Sequence, residues 1–347
     1  MRAQDPSADQ AQQLHAGLRE AQSRIEPALK AAVGRLGRPT RGIAEYYFGW
    51  TDQHGTPGGA ASARRRLGVL ALLAADVAGG STEHSMPAAV ACELAFSSVI
   101  IHDDIIDEDP TRRGRPSVWS LFGRPAAILT GNALTGLAFD ALADNQEHGI
   151  EAVRRLARAV NELNDGQLLD IDFEQRDDVT LDECFAMYAG KASAFAECAC
   201  TLGGLLAHAD ARHIDALAVF GHHTGLSWQL HNDSLAIWGD PALTGKQALS
   251  DLKSRKKTFP VIAALASTST DRDRLAELYL RGQTPLSNDD AQLAADLIER
   301  CGARQQTDLE TEHHLSAALH ALGALIPDSQ PRTTLEALAR LHTQSHR

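Results

Sequence analysis

Asp103, Asp104 and Asp107 close an apolar run with a DDxxD cluster of carboxylates. On a helix, residues i and i+4 share a face, so Asp103 and Asp107 project side by side, with Asp104 close by. Three carboxylates at one helix end repel one another unless a cation neutralises them. An all-oxygen set of this kind suits Mg²⁺, which takes one or two carboxylates and fills its octahedron with phosphate oxygens and water. Arg112 and Arg113 follow within reach of the same diphosphate, and guanidinium forks match phosphate oxygens. A solvated helix face is the competing reading of such a cluster. The apolar helix before it and the Arg-Arg-Gly run after it favour chemistry.

A second segment repeats the pattern. From Trp228 to Asp240 an apolar helix again runs into oxygen donors, with Asn232, Ala236 and Asp240 spaced i, i+4, i+8. Gly239 suggests that this helix ends nearby, which would leave Asp240 in the cap. The alternative is that Asn232 and Asp240 only cap a helix and start a turn. Basic residues follow at Lys246, Lys253, Arg255, Lys256 and Lys257. Between the two acidic segments lie Gln167, Asp170 and Lys191. A lone lysine in an Ala-rich helix is ordinarily a snorkelling surface residue, but here two acidic clusters give it a partner. Facing acidic helix ends with cations around them would make a Mg²⁺–diphosphate site.

The elements that position these groups read as helices. Ala and Leu dominate the 347 residues, 44% of which are hydrophobic, and alternating Val/Ile/Thr runs are nearly absent. Helices are expected at about 64–78, 85–107, 123–144, 147–174, 180–207 and 210–238, with more to the C-terminus, and 36–63 reads as a Gly/Pro-rich loop. We expect an all-α fold: a flexible tail over 1–15 and one domain over 16–347. A formal net charge of −12 with no long basic stretch argues against nucleic-acid binding. The five cysteines have no zinc-like spacing and read as small buried hydrophobes in a reducing compartment. Residues 1–15 are polar, and no apolar run is expected to approach the roughly 20 residues that span a bilayer. A cytoplasmic protein without a stable membrane anchor is expected.

Taken together, these motifs resemble the trans-isoprenyl diphosphate synthases, or polyprenyl synthetases, over about residues 42–265. The first aspartate-rich motif is Asp103, Asp104 and Asp107, followed by Arg112-Arg113-Gly114. The family's GQxLD stands as Gln167 and Asp170, and its KT helix keeps Lys191 with Ala192 for Thr. Its FQxxDD becomes Trp228, Gln229, Asn232 and Asp233. Its downstream phosphate lysines resemble Lys246 and Lys256. The resemblance implies an isoprenoid-synthase helical bundle around a deep apolar cavity, a homodimer, an allylic prenyl diphosphate substrate and three Mg²⁺ ions. Asp103, Asp107, Asn232 and Asp240 would hold metal. Arg112, Arg113, Lys191, Gln229, Lys246 and Lys256 would hold diphosphate, supported by Gln167, Asp170 and Asp233.

The departures point elsewhere. The family binds isopentenyl diphosphate through GGKxxRP, a His or Gln seven residues before DDxxD, and the second Arg of RRG. This chain keeps the last as Arg113, but it has Phe96 and an arginine triplet at 64–66 that is out of register and could partly substitute only after a local shift. Asn232 stands where the family has a metal-binding Asp, as in class I terpene cyclases, and it keeps a carbonyl oxygen donor. The expectation is therefore a terpene synthase that ionises an allylic diphosphate and lets the cation cyclise, lose a proton or capture water. The alternatives are a chain-elongating prenyltransferase and a non-catalytic partner subunit, and the intact carboxylates weigh against the latter. In the family, the residues four and five before DDxxD form the cavity floor. Here they are the small Val99 and Ser98, with Phe96 one further turn away, which points to geranylgeranyl rather than farnesyl diphosphate.

Overall fold

The computed structural model describes residues 6–58, 65–240, 249–280 and 285–344. The described chain is all-α. Its only strands are Thr111–Arg112 and Arg115–Pro116, an antiparallel pair that the sequence reading did not foresee. The chain sorts into two compact units.

The first unit comprises Met1–Arg158, Cys198–Ala218 and Leu325–Leu338. It holds α1 (Pro6–Val33), α2 (Arg38–Tyr47), α3 (Arg66–Val77), α4 (Thr82–Ile106), α5 (Val118–Phe122) and α6 (Arg124–Ala143). The centre is α4, which packs on α3 and α6. Ser81 starts it by accepting the Glu83 N–H at 3.2 Å. Ala88, Ala89, Ala91, Cys92, Leu94 and Ala95 are all buried, so α4 is apolar on nearly every side. Its alanines let neighbours approach closely.

Two expectations change here. The loop expected over 36–63 contains α2, because Pro39 sits in its first turn, where a proline starts a helix rather than breaks it. And α6, 20 residues long, is apolar and long enough to cross a membrane, contrary to the expected absence of such a run. Scattered polar residues (Thr130, Asn132, Thr135 and Asp140) hide this run from the eye, while its buried face is spent on α4.

The second unit comprises Ala159–Glu197, Val219–Ala324 and Ala339–Arg347. Most of α7 (Gly149–Gln175) lies here, with α8 (Leu181–Tyr188) and the start of α9 (Ala194–Leu206). The greater part of α10 (Ala211–Trp238) follows, then α11 (Ser250–Lys253), α12 (Phe259–Ala266), α13 (Asp271–Leu280), α14 (Asn288–Arg300) and α15 (Ala303–Gly323). The last helix, α16 (Gln330–Gln344), divides between the units. A capping box, Thr180 with Glu183, starts α8. The core gathers Phe173, Tyr188, Leu230, Phe259, Ile262 and Leu297. Each such side chain contributes about 1.5–3 kcal/mol by leaving water. The helix expected over 180–207 is interrupted by a π turn at Ala189–Ser193.

Candidate active site

In the first unit the aspartate cluster ends α4. Asp107 is its C-cap, and its N–H bonds the Asp103 carbonyl at 2.8 Å. His102, just before the cluster, lies against α6, where Gly131 makes room: a Cβ there would stand 2.2 Å from the His102 Nε2. Arg112 does not hang free for a ligand. Its Nε donates to Asp104 Oδ1 at 2.6 Å and its Nη2 to Asp109 at 3.1 Å, with Asp103 at 3.8 Å. Asp104 is 1% exposed, and burial pushes its carboxyl up to about 6 even though Arg112 opposes this. Arg112 thus fastens the motif, a role that spacing alone did not separate from diphosphate binding.

The Arg-Arg-Gly run is a tight hairpin turn. Thr111 pairs with Pro116 and Arg112 with Arg115, leaving Arg113 and Gly114 as the two loop residues. Both have positive φ, 56° and 72°, as a type I′ turn requires. Arg113 is thereby turned toward α2, its guanidinium 5.3 Å from the centre of the Tyr47 ring. Arg115 is tied down, donating to the Tyr46 and Thr51 carbonyls at 3.0 and 2.9 Å. Tyr46, Tyr47, Phe48, Gly49, Arg112 and Arg113 line a cleft of about 410 Å³, counting its solvent-open part. Arg65, from the triplet that could have replaced the family lysine, is buried and bonded to Glu26 at 3.0 Å. It braces the α1 side of this unit instead.

In the second unit a close helix contact places the cations. Gly166 of α7 and Gly190 of the π turn leave no space for side chains: a Cβ on Gly166 would lie 2.5 Å from the Lys191 N, and one on Gly190 2.4 Å from the Glu162 carbonyl. One turn beyond Gly166, Asp170 meets Lys191. The Lys191 Nζ donates to Asp170 Oδ2 at 2.6 Å, and Lys256 Nζ lies 3.5 Å from the same oxygen. Burial alone would raise the Asp170 carboxyl, but the two lysines outweigh it and hold it below the ordinary carboxylate range. Two cations on one anion leave net positive charge, suited to a diphosphate. Gln167 is buried, and its Nε2 has no hydrogen-bond partner among the described residues.

The Trp228–Asp240 segment divides by role. Asp233 is 3% exposed and accepts from the Gln229 Nε2 at 2.8 Å and from the Tyr188 hydroxyl. Tyr188 in turn accepts the Phe259 N–H at 2.7 Å, and burial keeps its phenol protonated. Gln229, assigned to diphosphate, therefore sits on Asp233. Tyr188 was not foreseen as part of this network, and only its place beside Lys191 in sequence hinted at it. Asn232 is half-buried on α10. Asp240 is exposed and follows the last helical residue, Trp238, so the i, i+8 alignment with Asn232 does not continue to it. Lys246 lies outside the described residues.

Of the expected cavity residues, Phe96 and Val99 share with Asp103 a half-exposed stripe along α4. Ser98 does not. It is 2% exposed and its hydroxyl accepts from Thr135 of α6 at 2.9 Å.

The donors of each unit fit magnesium. In the first, Asp103 and Asp107 offer carboxylate oxygens, and buried Asp104 Oδ2 has no hydrogen-bond partner among the described residues; in the second, Asn232 offers an amide oxygen.

An all-α chain with an aspartate-rich helix end is the architecture of the isoprenoid synthases. The polyprenyl synthetase family model matches residues 56–298, and the chain belongs to that family. It is 37% identical over 319 residues to a (2E,6E)-farnesyl diphosphate synthase of Mycobacterium bovis, spanning 91% of this chain and 89% of that one. A geranylgeranyl diphosphate synthase of Mycobacterium tuberculosis is 36% identical, with 93% and 92% covered. The crystal structure of a polyprenyl synthetase from Streptomyces coelicolor A3(2) superposes with a TM-score of 0.88 at 38% identity, covering 95% of this chain and 99% of that one. The terpene-synthase expectation is corrected by these likenesses, which favour chain elongation. It had treated the missing family lysine and histidine as loss of the second substrate's site.

Proposed function

We propose that this protein is a trans-prenyl diphosphate synthase that lengthens an allylic diphosphate with isopentenyl diphosphate. The observation that carries this reading is Arg113, turned by the hairpin into a cleft beside the aspartate motif. It offers a guanidinium to the second diphosphate without the family lysine or histidine. The Tyr47 ring contact holds the guanidinium at the cleft that Arg113 helps to line, and a guanidinium suits phosphate oxygens.

Asp103, Asp107 and Asn232 would hold magnesium, three ions in all, which supplies charge neutralisation for the departing diphosphate. Lys191 and Lys256, aligned by Asp170, bind the allylic diphosphate as its charge develops. The allylic carbon–oxygen bond breaks and the terminal methylene of the isopentenyl group joins that carbon. This leaves positive charge on the isopentenyl C3, and a proton leaves C2 to the released diphosphate, closing the C2–C3 double bond. The half-exposed α4 stripe, with small Val99 and no aromatic between Phe96 and the motif, leaves room for a product of twenty carbons or more. The functional unit is a homodimer. The exposed Ile128 and Leu129 on α6, 45% and 66% accessible, supply an apolar face for a second copy.

The test is diphosphate release from farnesyl diphosphate and Mg²⁺ with and without isopentenyl diphosphate. Elongation requires both substrates. Equal release without isopentenyl diphosphate would restore the terpene-synthase reading.

A further inference from the structure

We propose that Glu147, His148 and His208 form a binding site for a divalent transition metal of the zinc class, separate from the aspartate motif. The His148 Nε2 lies 3.3 Å from the His208 Nδ1. Each nitrogen is 3.6 Å from one oxygen of Glu147, His148 from Oε1 and His208 from Oε2. Zinc–ligand bonds of about 2.0–2.1 Å at the tetrahedral angle set ligand atoms roughly 3.3 Å apart. With one Glu147 oxygen as the ligand, the three donor atoms lie within 4.8 Å of one another, and side-chain rotations bring them to the spacing of one tetrahedral face. Two imidazoles and one carboxylate, with water in fourth position, form a donor set that takes zinc in preference to magnesium. His84 stands beside it, its ring perpendicular to His208 at 5.9 Å between centres.

The donors are held by two turns distant in sequence. Asn145 Oδ1 accepts the N–H groups of Glu147 and His148 at 3.2 and 2.7 Å, fixing the turn between α6 and α7. His208 ends α9 in the left-handed conformation, φ 60°, with its N–H on the Leu205 carbonyl at 3.1 Å. Both turns belong to the first unit and all three side chains reach solvent, Glu147 with 67% of its side chain accessible. A metal here ties the α6–α7 turn to the end of α9. Because the unfolded chain has no such site, binding stabilises the folded state.

The test uses the full chain equilibrated with Zn²⁺ in excess Mg²⁺, which keeps the aspartate motif occupied. Bound zinc and the zinc-dependent change in thermal midpoint are measured for wild type, His148→Ala and His208→Asn. Asparagine tolerates the left-handed backbone, so the second variant keeps its turn. Wild type is expected to retain one equivalent of zinc more than either variant, and its midpoint to rise with zinc while theirs does not. Helix content and magnesium-dependent turnover without zinc stay unchanged in both. Equal zinc content in all three proteins, or a midpoint that responds equally, overturns the proposal.

Discussion

Asp170 and Lys191 are joined by a 2.6 Å hydrogen bond between α7 and the π turn, and Lys256 reaches the same carboxylate oxygen at 3.5 Å. One buried anion aligns two cations from separate elements. Replacing it by Asp170→Asn is expected to raise KM for the allylic diphosphate and to cost about 1.5–3 kcal/mol of stability, the usual worth of hydrogen bonds to charged groups. The pH dependence has a definite sign. Because the folded carboxyl is depressed, its contribution is complete above about pH 4, the unfolded value, and is lost as pH falls through the lower folded value. Chemical denaturation at neutral and acid pH checks this: wild type should lose its advantage over the variant on acidification. An advantage that stays undiminished or grows as pH falls below about 4 would contradict the pairing.

The contact that sets this pair has no slack. Gly166→Ala puts a methyl 2.5 Å from the Lys191 backbone nitrogen, so helix or turn must move. We expect a loss of about 1–3 kcal/mol, as for overpacked cores, and a fall in kcat from displacement of Lys191. Thermal unfolding and steady-state kinetics would show both. A Gly166→Ala protein with wild-type stability and kcat would mean the interface yields freely.

Asp103→Ala and Asp107→Ala are expected to lower diphosphate release by at least two orders of magnitude while circular dichroism shows the helix content retained. Asn232→Ala should raise the Mg²⁺ concentration needed for half-maximal rate, and Asn232→Asp should keep it near the wild-type value. An unchanged magnesium requirement in Asn232→Ala would reduce that residue to a packing role.

Chain length should respond to Val99 more than to Ser98. Val99→Phe adds an aromatic ring to the half-exposed stripe of α4 and is expected to shorten the product by one five-carbon unit or more. Ser98→Phe instead thrusts a ring against Thr135 and α6, so its main effect should be lost stability. Chromatography of the hydrolysed products and thermal melting separate the two. A product shortened by Ser98→Phe alone, at full stability, would place the floor at Ser98 after all.

The helices and the carboxylate cluster were legible because both rest on local spacing: an apolar α4 closing in Asp103, Asp104 and Asp107 needs no tertiary information. Arg112 and Arg113 were visible as a pair, but their division of labour was not. It depends on a two-residue hairpin turn that pins one on Asp104 and turns the other toward Tyr47. The Asp170–Lys191 pair could not be derived from a separation of 21 residues. It is fixed by Gly166 and Gly190, whose lack of side chains matters only once two elements meet. The choice between cyclisation and elongation turned on the same kind of information. Phe96 and the displaced arginine triplet were weighed as losses against the surviving Arg113, whose setting in a hairpin turn beside the motif is not visible in its spacing.

The most direct test of the account is the fate of label from isopentenyl diphosphate. Incubated with farnesyl diphosphate and Mg²⁺, the protein should transfer labelled five-carbon units into a prenyl diphosphate of twenty or more carbons, one unit per diphosphate released. Arg113→Gln should raise KM for isopentenyl diphosphate and leave that for farnesyl diphosphate nearly unchanged. Diphosphate released with no label in the product, and hydrocarbons or alcohols formed instead, would contradict the account.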